Sequence, residues 1–449
     1  MNKLAKRAWF ALALAGVLLL GMGVIVVRYF IDSPDWVTFQ NSPHVYTDGV
    51  MNSGKIVDRS GTVVLDATNG KSYADSASLR RSMLHLLGDR EGNITPFLLQ
   101  EYGSELVGFD RINGTYSTGK REGQMALTVS ADVQRTALAA LDGRKGTVGV
   151  YNYKTGEILC AVSSPTYDPD DVPDVEGNPE TYEGVYVNRF LHATYTPGSV
   201  FKLVTAAAAL DEIPDILSRT FTCEGSAVIG GETIQCNGVH GTLNFEEALA
   251  HSCNTFFSTV GYDLGISTLD PYAEYFGLGT TTGVELGEAT GIMSNPQEYR
   301  ENHGVEWTDG VTSQTAIGQA DNMFTPIQLA AMCATIANGG VRLQTHFLDQ
   351  ITDYTGETVL EEYEPVELYD AGITSDVLGV VQTGMQMVAT QGTAADVFAN
   401  YPVSIACKTG TAETSTPDEN GNKPTEPNLS FICYAPADDP QIAIAVMME

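Results

Sequence analysis

Positive charge is what this sequence has least of. Its 24 Lys+Arg stand against 56 Asp+Glu, a formal net charge of −32 over 449 residues. A chain so acidic lacks the basic footprint that nucleic-acid binding needs, so no nucleic-acid partner is expected. Cysteine is sparse as well, seven residues and an odd number. That excludes a disulfide-scaffold class and a completely paired framework. No internal repeat, low-complexity tract or His-Glu-x-x-His motif occurs. What is present is ordinary globular material, 43% hydrophobic and 18% charged, long enough for two or three domains with ample core.

One uncharged run breaks that composition. Trp9 to Val27 is 19 residues of mostly Ala, Leu, Val and Gly. At about 1.5 Å per residue it spans about one hydrocarbon thickness. Lys3, Lys6 and Arg7 precede it, which puts the N-terminus in the cytoplasm and the rest of the chain outside. A cleaved signal peptide would have a shorter apolar core and a small-residue cleavage site; here Val27-Arg28-Tyr29-Phe30 follows. The expected organisation is a cytoplasmic tail (1–7), a single transmembrane anchor (8–30), a small β-rich pedestal (31–123) and a large domain (124–449).

The pedestal contains a hairpin-like pair, Lys55 to Asp58 and Gly61 to Leu65. In the large domain, Ala131 to Leu141 has helical spacing behind a Ser130 cap. Strand-like runs at 146–151 and 157–162 follow, then a helix-rich middle from about 199 to 340. Strands return at 404–407, 430–434 and 442–446. Strands before and after a helical block predict an α+β fold, an antiparallel sheet covered by helices.

Three short motifs carry chemistry. In Thr196-Pro197-Gly198-Ser199-Val200-Phe201-Lys202 a Pro-Gly loop feeds a helical run. Residues three apart share a helix face, so Ser199 and Lys202 point together. A serine hydroxyl needs a base, and a lysine in an apolar site can lose its proton readily enough to be one. Ser252-Cys253-Asn254 follows an apparent helix, and Lys408-Thr409-Gly410-Thr411 follows the strand Val403 to Cys407. In these, Ser252 can relay a proton, Asn254 can hold a carbonyl, and Lys408 with the threonines can bind a carboxylate. Two decoys match in part. Ser117-Thr118-Gly119-Lys120 lacks a helix behind it, and Lys154-Thr155-Gly156 sits in a hairpin turn. Singly, each motif reads as a cap, a loop or a surface charge. In this order and these contexts they act as one site.

The sequence at this point resembles the penicillin-binding proteins, serine acyl-transferases related to the β-lactamases. Ile56-Val57-Asp58-Arg59-Ser60-Gly61 is similar to the pedestal signature of class B members. Thr155 to Leu159, Asn188-Arg189-Phe190, Thr325 to Ala330 and Ala337 to Gly340 resemble other family segments. The short pedestal leaves no room for the glycosyltransferase domain of class A. The resemblance implies a serine β-lactamase-like transpeptidase domain in which Ser199 attacks the penultimate D-Ala of a peptidoglycan stem peptide ending in D-Ala-D-Ala. It assigns Lys202 as base and Ser252, Asn254 and Lys408 to catalysis. Thr409, Gly410 and Thr411 would bind substrate, and the backbone N–H groups of Ser199 and Thr411 would form the oxyanion hole. It further implies β-lactams as covalent inhibitors, no metal or organic cofactor, and a membrane glycosyltransferase of the SEDS type as partner. Family members continue into a further helix after the last strand, which this sequence does not reach. A D,D-carboxypeptidase, or a β-lactam-binding sensor or scaffold, are the alternatives.

Five of the seven cysteines divide into two groups. Cys160, Cys333 and Cys407 lie in strand-like or helix-like runs and read as small buried hydrophobes. Cys223 and Cys236 bracket a Gly-rich, hairpin-like stretch, with His240 four residues on. A disulfide between them is one expectation. A metal site with His240 is a weaker one, because the spacing fits no standard zinc pattern, and free thiols are the third.

Overall fold

The computed structural model describes residues 2–37, 46–47, 50–108, 122–370, 372–412 and 427–449. The decoy Ser117–Lys120 lies outside them. Helix α1 (Asn2–Val37) carries the apolar run. Its segment Lys3–Ser33 is long and apolar enough to cross a bilayer, and the rest of the chain buries none of its most apolar stretch. A helix apolar all round and unburied by protein has lipid as its natural solvent.

The pedestal sheet is built on a turn. Between β1 (Lys55–Val57) and β2 (Val63–Asp66), the Asp58 carboxylate accepts from the N–H groups of Ser60 at 2.8 Å and Thr62 at 2.9 Å. Its other oxygen accepts from the N–H of Ala131 at 2.9 Å. One side chain thus closes the hairpin and caps the first helix of the large domain. Beside β1 and β2 lie β3 (Ser72–Tyr73) and β4 (Gln124–Leu127). The sheet has six strands, not four, because two more arrive from far along the chain, Leu348–Thr352 and Val359–Glu362. β4 pairs in parallel with β1 and antiparallel with Leu348–Thr352. The boundary expected at 123/124 therefore cuts through one sheet. Backbone pairing across more than 200 residues leaves no local sign in a strand only a few residues long.

The second sheet is antiparallel throughout, as the α+β reading expects. Helix α2 (Ala131–Leu141) begins at Ser130, whose hydroxyl accepts from the N–H of Val133 at 3.4 Å. Then come β5 (Gly146–Tyr151) and β6 (Ile158–Ser164). The central helix α3 (Lys202–Glu212) is buried over its first eight residues. After it, short strands β7 (Phe221–Cys223), β8 (Ser226–Ile229), β9 (Glu232–Gln235) and β10 (Gly241–Leu243) lead into α4 (Phe245–Ala250) and α5 (Asn254–Leu264). Helix α6 (Pro326–Ala337) opens with proline and a Thr325–Gln328 capping box, so its buried N-terminus keeps its backbone donors satisfied. It lies on the sheet, as does α7 (Ser375–Thr390). The chain then lays down the strands that join β5 and β6 in the main sheet: β11 (Ala406–Ala412), β12 (Asn428–Ala435) and β13 (Ile442–Met448). The strand order is β11-β12-β13-β5-β6. Side chains alternate across it. Val150, Cys160 and Val162 meet Ala137 and Leu141 of α2 on one face, while Ala443, Ala445 and Met447 enter the main core on the other.

Lys408-Thr409-Gly410-Thr411 lies within β11 and not after a strand ending at Cys407, a correction to the sequence reading. The apolar run marked the strand's start, but polar residues continue it because β11 is the sheet's edge, where one side faces a cleft.

Candidate active site

The Pro197-Gly198 loop enters a tight 3₁₀ turn, Gly198–Phe201, and the α-helix proper starts at Lys202. The sequence reading put Ser199 at the helix start, and the extra turn changes little. In a 3₁₀ helix residues three apart eclipse, so Ser199 and Lys202 still share a face. Gly198 has φ +60°, and a Cβ there would come within 2.7 Å of the Thr411 carbonyl. Only glycine lets the turn lie this close to β11. Ser199 is half-buried amid buried neighbours.

Lys202 is fully buried. Its Nζ donates to the Ser252 carbonyl at 2.7 Å, Asn254 Oδ1 at 2.6 Å and Ser252 Oγ at 3.1 Å. These three acceptors match the three donors of an ammonium. Among the described residues no carboxylate acts on it, and burial pushes its pKa down to about 7. A neutral amine keeps two N–H bonds to the two carbonyl oxygens. Its lone pair is then free to take a proton from a hydroxyl. Lys408 is also buried, donating to Ser252 Oγ at 2.8 Å and to the Thr409 carbonyl at 2.9 Å. Burial, reinforced by the charge of Lys202, holds it well below its ordinary pKa. Ser252 Oγ thus bridges two amines, the geometry of a proton relay. Its backbone has φ +54°, in the left-handed region that non-glycine residues avoid. The tight connection from α4 to α5 imposes this strain and aims the hydroxyl inward.

The remaining residues line a cleft of about 370 Å³. Ser199, Ser252, Asn254, Thr409 and Thr411 all border it. Gly410 serves the wall behind: a Cβ there would collide with Ser430 Oγ and come within 2.8 Å of the Pro197 carbonyl. Ser430 Oγ donates to that carbonyl at 2.8 Å, tying the nucleophile loop to the sheet. The structure therefore brings the three sequence motifs to one cleft. It adds Asn237, Ile317, Gln319 and Thr393, which the sequence reading missed. Thr393 Oγ1 lies 2.6 Å from Thr409 Oγ1, widening the hydroxyl surface beside β11. None of the four stands in a motif, so no local signal marked them.

The expected Cys223–Cys236 disulfide is absent, and all seven cysteines are free thiols. Cys236 Sγ lies 3.8 Å from the Sγ of Cys253. His240 does approach, its Nδ1 3.6 Å from Cys236 Sγ. Cys253 itself, hidden inside the Ser-x-Asn triplet, completes the group and was not anticipated as a member.

A hydroxyl nucleophile one helical turn from a buried amine, with no carboxylate among the described residues to hold the amine's charge, is equipped for serine acyl transfer. Comparison with known proteins narrows that class. The family model for the penicillin binding protein transpeptidase domain matches residues 146–449. Stage V sporulation protein D of Bacillus subtilis (strain 168) is 29% identical over 408 residues, covering 88% of this chain and 57% of that protein. The chain thus spans little more than half of that relative's length. Peptidoglycan D,D-transpeptidase PbpA of Mycolicibacterium smegmatis is 30% identical over 384 residues, 77% of this chain and 72% of PbpA. Penicillin-binding protein A from M. tuberculosis, solved as its penicillin G acyl-enzyme complex, superposes with a TM-score of 0.69 at 25% identity, covering 89% of this chain and 93% of that one. The chain belongs to the penicillin-binding protein transpeptidase family.

Proposed function

We propose that this chain is a membrane-anchored peptidoglycan D,D-transpeptidase that works through a Ser199 acyl-enzyme. The observation that carries the reading is Lys202, one helical turn from Ser199, fully buried and hydrogen-bonded between Ser252 and Asn254, with burial outweighing the nearby thiols in lowering its pKa. In the first step neutral Lys202 takes the Ser199 proton as Oγ attacks the penultimate D-Ala carbonyl. The oxyanion is received by the backbone N–H groups of Ser199 and Thr411. As the intermediate collapses, Ser252 hands a proton from the lysine pair to the departing amine, and the terminal D-Ala leaves. Lys408, Thr409 and Thr411 hold that residue's carboxylate, and Asn254 a substrate amide. An amine from a neighbouring stem then attacks the ester, releases Ser199 and forms the cross-link. β-Lactams enter the same first step and stop there.

Lys3, Lys6 and Arg7 before the anchor support a cytoplasmic N-terminus and an extracytoplasmic cleft. A SEDS-type glycosyltransferase in the same membrane is the partner whose product this enzyme would cross-link. The test measures D-Ala release from a stem peptide ending in D-Ala-D-Ala, with and without an amine acceptor. Cross-linked product exceeding hydrolysis is expected. Hydrolysis that dominates whatever acceptor is supplied would make the enzyme a carboxypeptidase. Penicillin acylation with no D-Ala release would make it a sensor or scaffold.

A further inference from the structure

Cys223, Cys236, His240 and Cys253 converge from three places: the end of β7, the loop after β9, and the turn joining α4 to α5. One ligand atom from each lies within 4.8 Å of all the others. We propose that these four groups bind one divalent cation of the zinc type, and that the bound metal fixes the Ser252–Asn254 turn in its acylating geometry.

Distance is the first argument. Tetrahedral zinc, with sulfur at about 2.3 Å and nitrogen at about 2.0 Å, sets sulfur–sulfur edges of about 3.8 Å and sulfur–nitrogen edges of about 3.5 Å. Cys236 Sγ is 3.8 Å from Cys253 Sγ and 3.6 Å from His240 Nδ1. A disulfide needs about 2.05 Å between sulfurs. Donor chemistry is the second. Three thiolates and an imidazole favour zinc over the hard cations, and four protein ligands make a closed structural site. Cys223 and Cys253 are buried, with Cys236 and His240 half-buried on the approach side. The surrounding hydrogen bonds are the third. The backbone N–H of Asn254 donates to Cys236 Sγ at 3.2 Å, the kind of support that steadies a coordinating sulfur. On binding, each thiol releases its proton to solvent, and the metal's two positive charges replace the three protons lost.

The link to catalysis is covalent and short. Cys253 is the middle residue of Ser252-Cys253-Asn254, whose flanking residues supply every oxygen that holds Lys202 Nζ. On the other side, Asn254 Nδ2 donates to the Gln235 carbonyl at 2.8 Å, next to Cys236. A metal joining Cys236 to Cys253 grips the turn from both sides and sustains the left-handed backbone at Ser252. The metal touches neither substrate nor reacting atoms, so its ligands are positioning residues. This second half of the proposal rests on the reading of Ser199 as the acylated residue; the first half does not.

Full-length protein in detergent, reduced and stripped by chelator, is titrated with Zn²⁺ and separately with Co²⁺. One metal per chain is expected, with the thiolate charge-transfer and ligand-field absorption of tetrahedral cobalt. Cys223→Asp, which keeps a ligand atom, should retain binding, and His240→Ala should weaken it. Acylation by a fluorescent penicillin is then timed on stripped and zinc-loaded protein. The acylation rate constant should fall at least about tenfold on stripping and recover with zinc, while the initial non-covalent affinity stays the same. Substoichiometric metal, a non-tetrahedral cobalt spectrum, or a disulfide among Cys223, Cys236 and Cys253 in the protein as isolated would overturn the site. Equal acylation rates in both forms would overturn the positioning role. A tetrahedral cobalt spectrum in a protein that penicillin never labels would leave the metal site standing and remove the transpeptidase reading instead.

Discussion

Lys202 makes acylation a measure of its own protonation. Burial takes its pKa from the ordinary 10.5 to about 7. At pH 7 that raises the neutral fraction from about one in 3,000 to about one half, a gain of about a thousandfold in available base. The second-order rate constant for acylation by a fluorescent penicillin should therefore rise about tenfold per pH unit below 7 and level off above it, standing near one tenth of its plateau at about pH 6. Lys202→Arg keeps the charge and the hydrogen-bond donors but cannot deprotonate in this range, and should lose about 10²–10⁴ in rate with the ascending limb abolished. Rapid-quench labelling from pH 5.5 to 9 supplies the data. A flat profile, or an arginine variant within threefold of the parent, refutes the assignment of Lys202 as base. The same group tilts stability. Unfolded, the lysine titrates near 10.5 and folded near 7. Between those values the unfolded chain binds the extra proton, so stability rises with pH across the window and has lost that contribution below 7.

Ser199→Ala should abolish penicillin labelling while Ser117→Ala leaves it intact, which gel fluorescence reads directly; label surviving at Ser199→Ala removes the site. Gly410→Ala drives a methyl into Ser430 Oγ and the Pro197 carbonyl. It should cost about 1–3 kcal/mol in thermal unfolding and slow acylation, and an unchanged Tm would contradict the packing. Thr393→Ala removes a hydroxyl 2.6 Å from Thr409 Oγ1. It should weaken the initial affinity for penicillin about two- to tenfold, or about 0.5–1.5 kcal/mol, with the acylation rate constant little changed. The penicillin acyl-enzyme should persist for minutes or longer, since none of the described residues lining the cleft is an acid or a histidine that could serve as a dedicated deacylating base; rapid loss of label would point to a β-lactamase.

The catalytic candidates were legible because each belongs to a triplet or quartet whose local context fixes its direction. Ser199 and Lys202 needed only the helix period, and Lys408 only the apolar run that leads into its strand. Two kinds of information were not local. Thr393 and Gln319 reach the cleft because α7 and the loop before α6 are packed there by side chains far along the chain, and a lone polar residue in a loop carries no trace of that. Cys253 was legible as part of Ser-x-Asn and therefore overlooked as a cysteine. Its meeting with Cys236 depends on how β8 and β9 fold back, which spacing alone does not express. The two distant strands of the pedestal sheet left no trace for the same reason, since β4 and Leu348–Thr352 pair across about half the chain.

That pairing has a consequence in time. A chain leaves the ribosome N-terminus first, so β1, β2, β3 and β4 are made long before Leu348–Thr352 exists. Until that strand arrives, one edge of β4 presents unpaired backbone donors and acceptors, a template for any passing strand. Nearly the whole helical block, with α3 and the Ser252 turn, is synthesised during the wait. The pedestal is the first part of the extramembrane chain to be made and among the last to be finished, so a synthesis arrested after α6 leaves an open sheet tethered at the membrane, ready to aggregate.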